Sequence, residues 1–218
     1  MTRSHRDRPR PARRGAPAAS VVAVRPALPD AGAGADLLRL ATGALVSYLT
    51  RRPFVVRPPG VVELGRPGAA FVTLEAGGAL RGCVGTVEAT RPLWRDVIRN
   101  AVCAADDPRL PPVTATEWTH LDLKVSVLSR LAPLPAPDPA VLMAQLRPGL
   151  DGLLLTDGMR RATFLPAVWL KIVEPERFVA ALLAKGGWAA GRWPERVVAH
   201  RYTTVEFTDP APRPALPA

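Results

Sequence analysis

Leu80 to Thr86 reads LRGCVGT. It sets a cysteine between two glycines, two residues after an arginine, at the end of an apolar run. A thiol attacks electrophiles as its thiolate, and a nearby cation favours that form. In a regular strand Arg81 and Cys83 project to the same face, so the guanidinium is expected beside the sulfur. Gly82 and Gly85 weaken a strand and leave it nothing to pack. Their expected use is room, with backbone N–H groups open to an anion or a developing oxyanion. The competing reading of Cys83 is a small buried hydrophobe, the common fate of a free cysteine.

The other reactive residues give weaker signals. A Cys–His pair needs a histidine within reach, and nothing in the sequence brings His120 or His200 to Cys83. His5 lies in an arginine-rich start. Cys103, among the small residues of AVCAA, reads as a packed helix position. Two cysteines and the histidines show no ligand spacing, so no metal site and no cofactor are expected. Asp106 and Asp107 follow a helix, where the dipole disfavours acids. Either they bind a cation, or Asp107 holds Arg109 and shapes the loop around Pro111. Asn100, on that helix, is expected to orient a neighbour. Arg160 and Arg161 either meet an acidic substrate or partner or edge the solvent. Lys185 ends a helix, where the dipole alone accounts for a cation.

These residues need elements to carry them. Helical spacing predicts a helix over 36–52, stopped by Pro53. Residues 69–75 and 79–87 predict a hairpin with Cys83 on its return arm. Pro92 is expected as the first residue of the next helix, which runs to about Asp106. Thr114 and Glu117 have capping-box spacing. Residues 121–129 read as a strand with Leu121, Leu123, Val125 and Val127 on one face. A proline-rich crossing leads to a short helix ending near Leu146. Asp157-Gly158 turns a second hairpin, and helical segments at 166–172 and 175–186 follow. Residues 196–207 read as one last strand. Hairpins interleaved with helices predict an α+β fold with a mixed sheet and flanking helices.

The chain has 218 residues, 48% hydrophobic, and a net charge of +10. Half of that excess lies in residues 1–30, with seven arginines and two aspartates. Residues 1–33 are expected to be a disordered Arg/Pro/Ala-rich tail, 34–208 the folded domain, and 209–218 a disordered proline-rich tail. Only three of the 29 basic residues are lysine, a pattern of genome composition rather than of a nucleic-acid surface. Such a surface also wants stacking aromatics, so nucleic-acid binding is not expected. No apolar run reaches the ~18 residues of a membrane span. Arg13-Arg14 lacks the hydrophobic segment of an export signal. Two cysteines make no disulfide framework, and a cytoplasmic setting is expected.

LRGCVGT (80–86), NAVCAADDPRLPPV (100–113), LKVSVLS (123–129), RRATFLP (160–166) and LLAKGG (182–187), in this order, resemble the AMMECR domain, called AmmeMemoRadiSam system protein A in prokaryotes. Val84 and Leu110 replace the usual Ile and Phe of the pattern. The resemblance covers about 36–207. It implies an α+β fold of a larger and a smaller subdomain, with the LRGC segment lining the cleft between them. It also implies a Memo-like protein and a radical SAM protein as possible partners. It implies no reaction.

Two functions follow for the cleft. As an enzyme, Cys83 is the nucleophile, with Arg81, Asn100, Gly82, Gly85, Asp107, Arg109, Pro111 and Arg161 binding or orienting an unknown small anionic or acyl molecule. As a scaffold, the same cleft docks a protein partner without catalysis.

Overall fold

Asp30 starts the fold. Its carboxylate accepts from the Ala33 N–H at 2.9 Å, so α1 spans Ala31–Thr50 and begins earlier than its apolar spacing indicates. The computed structural model describes residues 28–217. The expected N-terminal tail lies outside the described residues up to position 27, and its last residues belong to α1.

The chain continues through the single turn α2 (Val62–Gly65) and β1 (Pro67–Gly68). The expected hairpin follows as β2 (Ala70–Ala76) and β3 (Ala79–Gly85). β4 (Arg91–Pro92) pairs back on β1. α3 spans Leu93–Ala105, with Pro92 as its cap rather than its first residue. The Thr114–Glu117 capping box is formed and opens a 3-10 helix, Ala115–His120, ahead of β5 (Leu121–Leu128). Then come β6 (Ala132–Pro133), α4 (Pro139–Gln145), β7 (Gly152–Thr156) and β8 (Arg161–Phe164). A 3-10 helix (Pro166–Leu170), α5 (Pro175–Lys185), β9 (Val198–Tyr202) and β10 (Thr204–Asp209) complete the fold.

Two antiparallel sheets organise these elements. The larger has the order β10-β5-β2-β3. α1 and α3 cover one face, burying Leu37, Leu45, Val72, Leu74, Val97 and Val125 among others. The smaller has the order β6-β9-β7-β8, packed by α4 and α5 around Leu142, Leu153, Phe178 and Leu182. There the Trp169 and Phe178 rings stack with centroids 3.7 Å apart. The α+β fold with a larger and a smaller subdomain is therefore present.

The two subdomains rest on each other. Phe71 and Leu128 from the larger meet Leu154, Leu165 and Tyr202 from the smaller. This explains β5, which alternates at its start but is buried on both faces from Val125 to Leu128. One face meets the helices there and the other meets the smaller subdomain.

The expected single strand over 196–207 is two strands in two sheets. β9 belongs to the smaller sheet and β10 to the larger, with Thr203 between them. Ser129 N–H donates to Thr203 O at 2.9 Å, and Thr203 N–H donates to Ser129 Oγ at 3.0 Å. The two chain crossings are thus bonded side by side. The apolar alternation runs through this change of partner, so the sequence shows no break.

The proline-rich end is packed rather than free, with Arg213, Pro214 and Leu216 all tied to the larger subdomain. Arg213 is buried, with Nε donating to Leu121 O at 2.6 Å and its guanidinium 5.0 Å from the Trp118 ring centre. Trp118 Nε1 donates to Pro214 O at 2.7 Å. Prolines lower the entropy lost on ordering, so composition alone hid a segment with good hydrogen-bond partners. Among the described residues no helix is long and apolar enough to cross a membrane.

Candidate functional site

Cys83 stands opposite Thr73 in the β2–β3 hairpin. Val72 and Leu74 face α1 and α3, while Phe71 meets Tyr202 and Leu154. By strand alternation Thr73 and Cys83 share the Phe71 face, which looks toward the smaller subdomain. The Thr73 hydroxyl donates to Cys83 Sγ at 3.3 Å. The sulfur belongs to a half-buried, free cysteine.

The glycines correct the expectation of an open backbone. A Cβ on Gly82 would lie 1.8 Å from Ala104 O of α3. One on Gly85 would lie 2.2 Å from the Phe71 ring and 2.6 Å from Ala70 O. What approaches these positions is the protein itself, a helix on one face and a ring on the other. The Cys83 N–H is also taken, donating to Asp107 Oδ2 at 3.1 Å.

Arg81 departs from its expected place because the strand is not regular. The register shifts between Leu74 and Glu75, which face Gly82 and Leu80. Arg81 is the extra residue of a β-bulge, and bulges re-aim side chains. Its Nε donates to Glu117 Oε1 at 2.5 Å and its Nη2 to Pro111 O at 3.4 Å. Pro111 therefore supplies a carbonyl to Arg81.

The Arg81 hydrogen bond holds the Glu117 carboxyl down at about 2, against the cost of burial and with help from Thr114. A carboxyl lowered in the folded state contributes stability above its unfolded value, and that stability is lost as pH falls through the folded one. Glu117→Gln is expected to cost on the order of 2 kcal/mol at neutral pH, after allowing for solvent screening. It should also flatten the loss of stability from the ordinary 4.5 down to about 2. Urea midpoints at pH 7 and pH 3 check both.

The cation beside Cys83 is Arg109. Its Nη2 donates to Cys83 O at 2.8 Å and to Asp107 Oδ2 at 2.5 Å. Its Nε and backbone N–H donate to Asp107 Oδ1 at 2.9 and 3.1 Å. One buried carboxylate thus fixes both the Cys83 backbone and the Arg109 fork. The Arg109 hydrogen bond, helped by the Cys83 and Arg109 N–H groups, holds Asp107 well below the usual carboxylate range despite burial. Among the described residues Arg109 Nη1 has no protein partner, and the side chain is 59% exposed.

The smaller subdomain turns Tyr202 toward the larger one, and Lys185 at the end of α5 lies over the edge strand β8. Lys185 Nζ donates to Thr163 O at 2.9 Å and lies 5.1 Å from the Phe164 ring centre. Burial, then the Arg109 charge, push the ammonium below its ordinary value, and Cys83 opposes this. Tyr202 OH meets Thr163 Oγ1 at 2.6 Å and donates to Phe164 O at 3.0 Å. Burial raises its hydroxyl well above the usual range, with a further contribution from Cys83. Sequence reasoning gave Lys185 no role.

Asn100 and Arg161 are not free cleft groups. Asn100 is buried, and its Nδ2 donates to Ala70 O and Asp96 Oδ2, each at 3.0 Å. The buried Asp96 also accepts from Ala70 N–H, Thr86 Oγ1 and Arg91 Nη1. This network braces the start of β2, and the sequence reading missed Asp96. Arg161 is paired with Glu88, which ties β8 to the segment after β3.

A family model described as AMMECR1 matches residues 38–207. The chain is 37% identical to a protein of Methanothermobacter thermautotrophicus over 137 residues, covering 62% of this chain and 71% of the relative. It is 34% identical to Protein TK0174 of Thermococcus kodakarensis, covering 83% and 92%. The crystal structure of uncharacterized protein PH0010 from Pyrococcus horikoshii is similar with a TM-score of 0.78 and 31% identity, covering 85% of this chain and 95% of that one.

Proposed function

The chain belongs to the AMMECR1 family, and on that premise we propose that its cleft is a thiol acyl-transfer site for a small substrate bearing a carboxylate. The observation that carries this reading is the Arg109 fork. Asp107 and Cys83 O take three of its donor directions and leave Nη1, with two hydrogens, beside the cysteine. A guanidinium fixed in this way is suited to a second carboxylate. Arg109 holds the substrate's anionic end, and Cys83 meets its acyl carbon.

The chemistry balances without an oxidant. The Cys83 S–H bond breaks and its proton leaves to a base. The sulfur forms a bond to the acyl carbon of an ester or thioester, and the bond to the leaving group breaks. That group departs with a proton, and water or a second acceptor later takes the acyl group from sulfur. Free thiols at Cys83 and Cys103 fit a reducing compartment, so the reading sets the chain in the cytoplasm. Memo-like and radical SAM proteins remain the partners this reading would look to for supply or use of the substrate.

4-Nitrophenyl hemisuccinate is the test. A burst of nitrophenolate and a succinyl adduct on Cys83 are expected, both lost in Cys83→Ser, with 4-nitrophenyl acetate reacting more slowly. Acylation spread over surface lysines, unchanged in Cys83→Ser, would remove the catalytic reading and favour the cleft as a docking surface.

A further inference from the structure

When sulfur attacks an acyl carbon, negative charge moves to the acyl oxygen, and a donor fixed at that oxygen speeds the step. The backbone beside Cys83 does not supply one. Its N–H donates to Asp107 Oδ2 and its carbonyl accepts from Arg109 Nη2, so both groups lie at the outer edge of β3. Strand N–H groups lie in the plane of the sheet, whereas the Cys83 side chain stands out from its face. Arg109 Nη1 is given to the substrate's carboxylate.

We infer that the Thr73 hydroxyl is the oxyanion donor of this cleft, a catalytic role that rests on the acyl-transfer reading of the same site. Its place follows from the register. Thr73 and Cys83 are Cα partners. Because the main-chain groups of Cys83 turn away from β2, the pair is of the non-hydrogen-bonded kind, in which facing side chains come closest. The hydroxyl donates to Sγ at 3.3 Å. A β-branched side chain is stiff at χ1 in a strand, so the hydroxyl is held beside the sulfur. A thiol sulfur is a weak acceptor. In the adduct the acyl oxygen lies two bonds from that sulfur and is the stronger acceptor, so the same donor serves it. In the step the Cys83 proton leaves to water and the sulfur bonds to the acyl carbon. The carbonyl electron pair moves to oxygen, and Thr73 donates to that oxygen while keeping its own proton. The carbonyl re-forms as the bond to the leaving group breaks, and that group departs as its anion, to be protonated by water.

The test sets two reactions of one thiol against each other. Acylation by 4-nitrophenyl hemisuccinate develops an oxyanion; alkylation by iodoacetamide does not. Thr73→Val keeps the shape of the side chain and removes the hydroxyl, while Thr73→Ser keeps the hydroxyl. In Thr73→Val the nitrophenolate burst is expected to slow on the order of a hundredfold. Alkylation of Cys83 should stay within about threefold of wild type, since a change at the sulfur moves thiolate fraction and nucleophilicity in opposite directions. Thr73→Ala should repeat this pattern, and Thr73→Ser should retain most of the burst rate. Melting curves show that each variant is folded. A Thr73→Val or Thr73→Ala protein that acylates as fast as wild type overturns the inference. So does an equal loss of acylation and alkylation, because Thr73 would then act on the sulfur alone, and so does a Thr73→Ser protein as slow as Thr73→Val. Absence of any Cys83 adduct in wild type would instead remove the acyl-transfer reading, and this role of Thr73 with it.

Discussion

Gly82→Ala is expected to melt far below the wild-type protein. The added Cβ would sit 1.8 Å from Ala104 O, a backbone atom inside α3 that has no rotamer to yield. Relief requires α3 to lift from β3. α3 buries Val97, Ala101, Ala104 and Ala105 in the main core, so the displacement is paid across the sheet. Overpacking against fixed atoms costs about 3 kcal/mol. A chain of this size loses roughly 2–4 °C per kcal/mol, so a drop of roughly 6–12 °C follows. Gly77→Ala is the contrast. Its Cβ would meet nothing within 4 Å, and its only penalty is a positive φ of 56° at an exposed turn. Differential scanning calorimetry of the pair decides whether glycine at 82 serves helix packing. Equal melting temperatures would refute that.

Asp107→Ala is expected to damage stability and reactivity together. The change leaves the Cys83 N–H without its acceptor and releases three donors of Arg109 at once. Removing one partner of a buried, charged network costs about 3 kcal/mol. The second effect is more specific. Cys83 and Arg109 are both still present, but nothing holds them in one geometry. The preference of Cys83 for anionic reagents should vanish as fully as in Arg109→Gln. Asp106→Ala, at an exposed neighbour that bonds to neither group among the described residues, should change neither property. Urea unfolding and peptide-resolved labelling read the two effects separately.

The elements of this fold were largely legible because their signals are local. The capping box at Thr114, the Asp-Gly turn at 157–158 and the alternation of β2 and β5 each act over a few residues. The Asp107–Arg109 contact was legible for the same reason, since the two residues are neighbours in a tight loop. What was not legible depends on distant pairing. The bulge at Arg81 is set by the register of β2 against β3, and it moved the expected cation from Arg81 to Arg109. The split at Thr203 depends on Ser129, and the packed Arg213 depends on Leu121 and Trp118. Asn100 was read as a site residue because its helix precedes the DPRLPP loop. Its amide points instead to Ala70 O and Asp96, within the core. Lys185 meets Thr163 O only because α5 packs against β8, a contact with no local signature.

The most direct measurement is the rate of Cys83 alkylation by iodoacetate relative to iodoacetamide, in a Cys103→Ala background. The two reagents differ in charge, so their ratio reports the cation that faces the thiol. A wild-type ratio roughly three- to fivefold above that of Arg109→Gln, as a single exposed cation can supply, is the predicted result. A ratio that does not change when Arg109 is removed would contradict the account, because the thiol would then not share its cleft with that guanidinium.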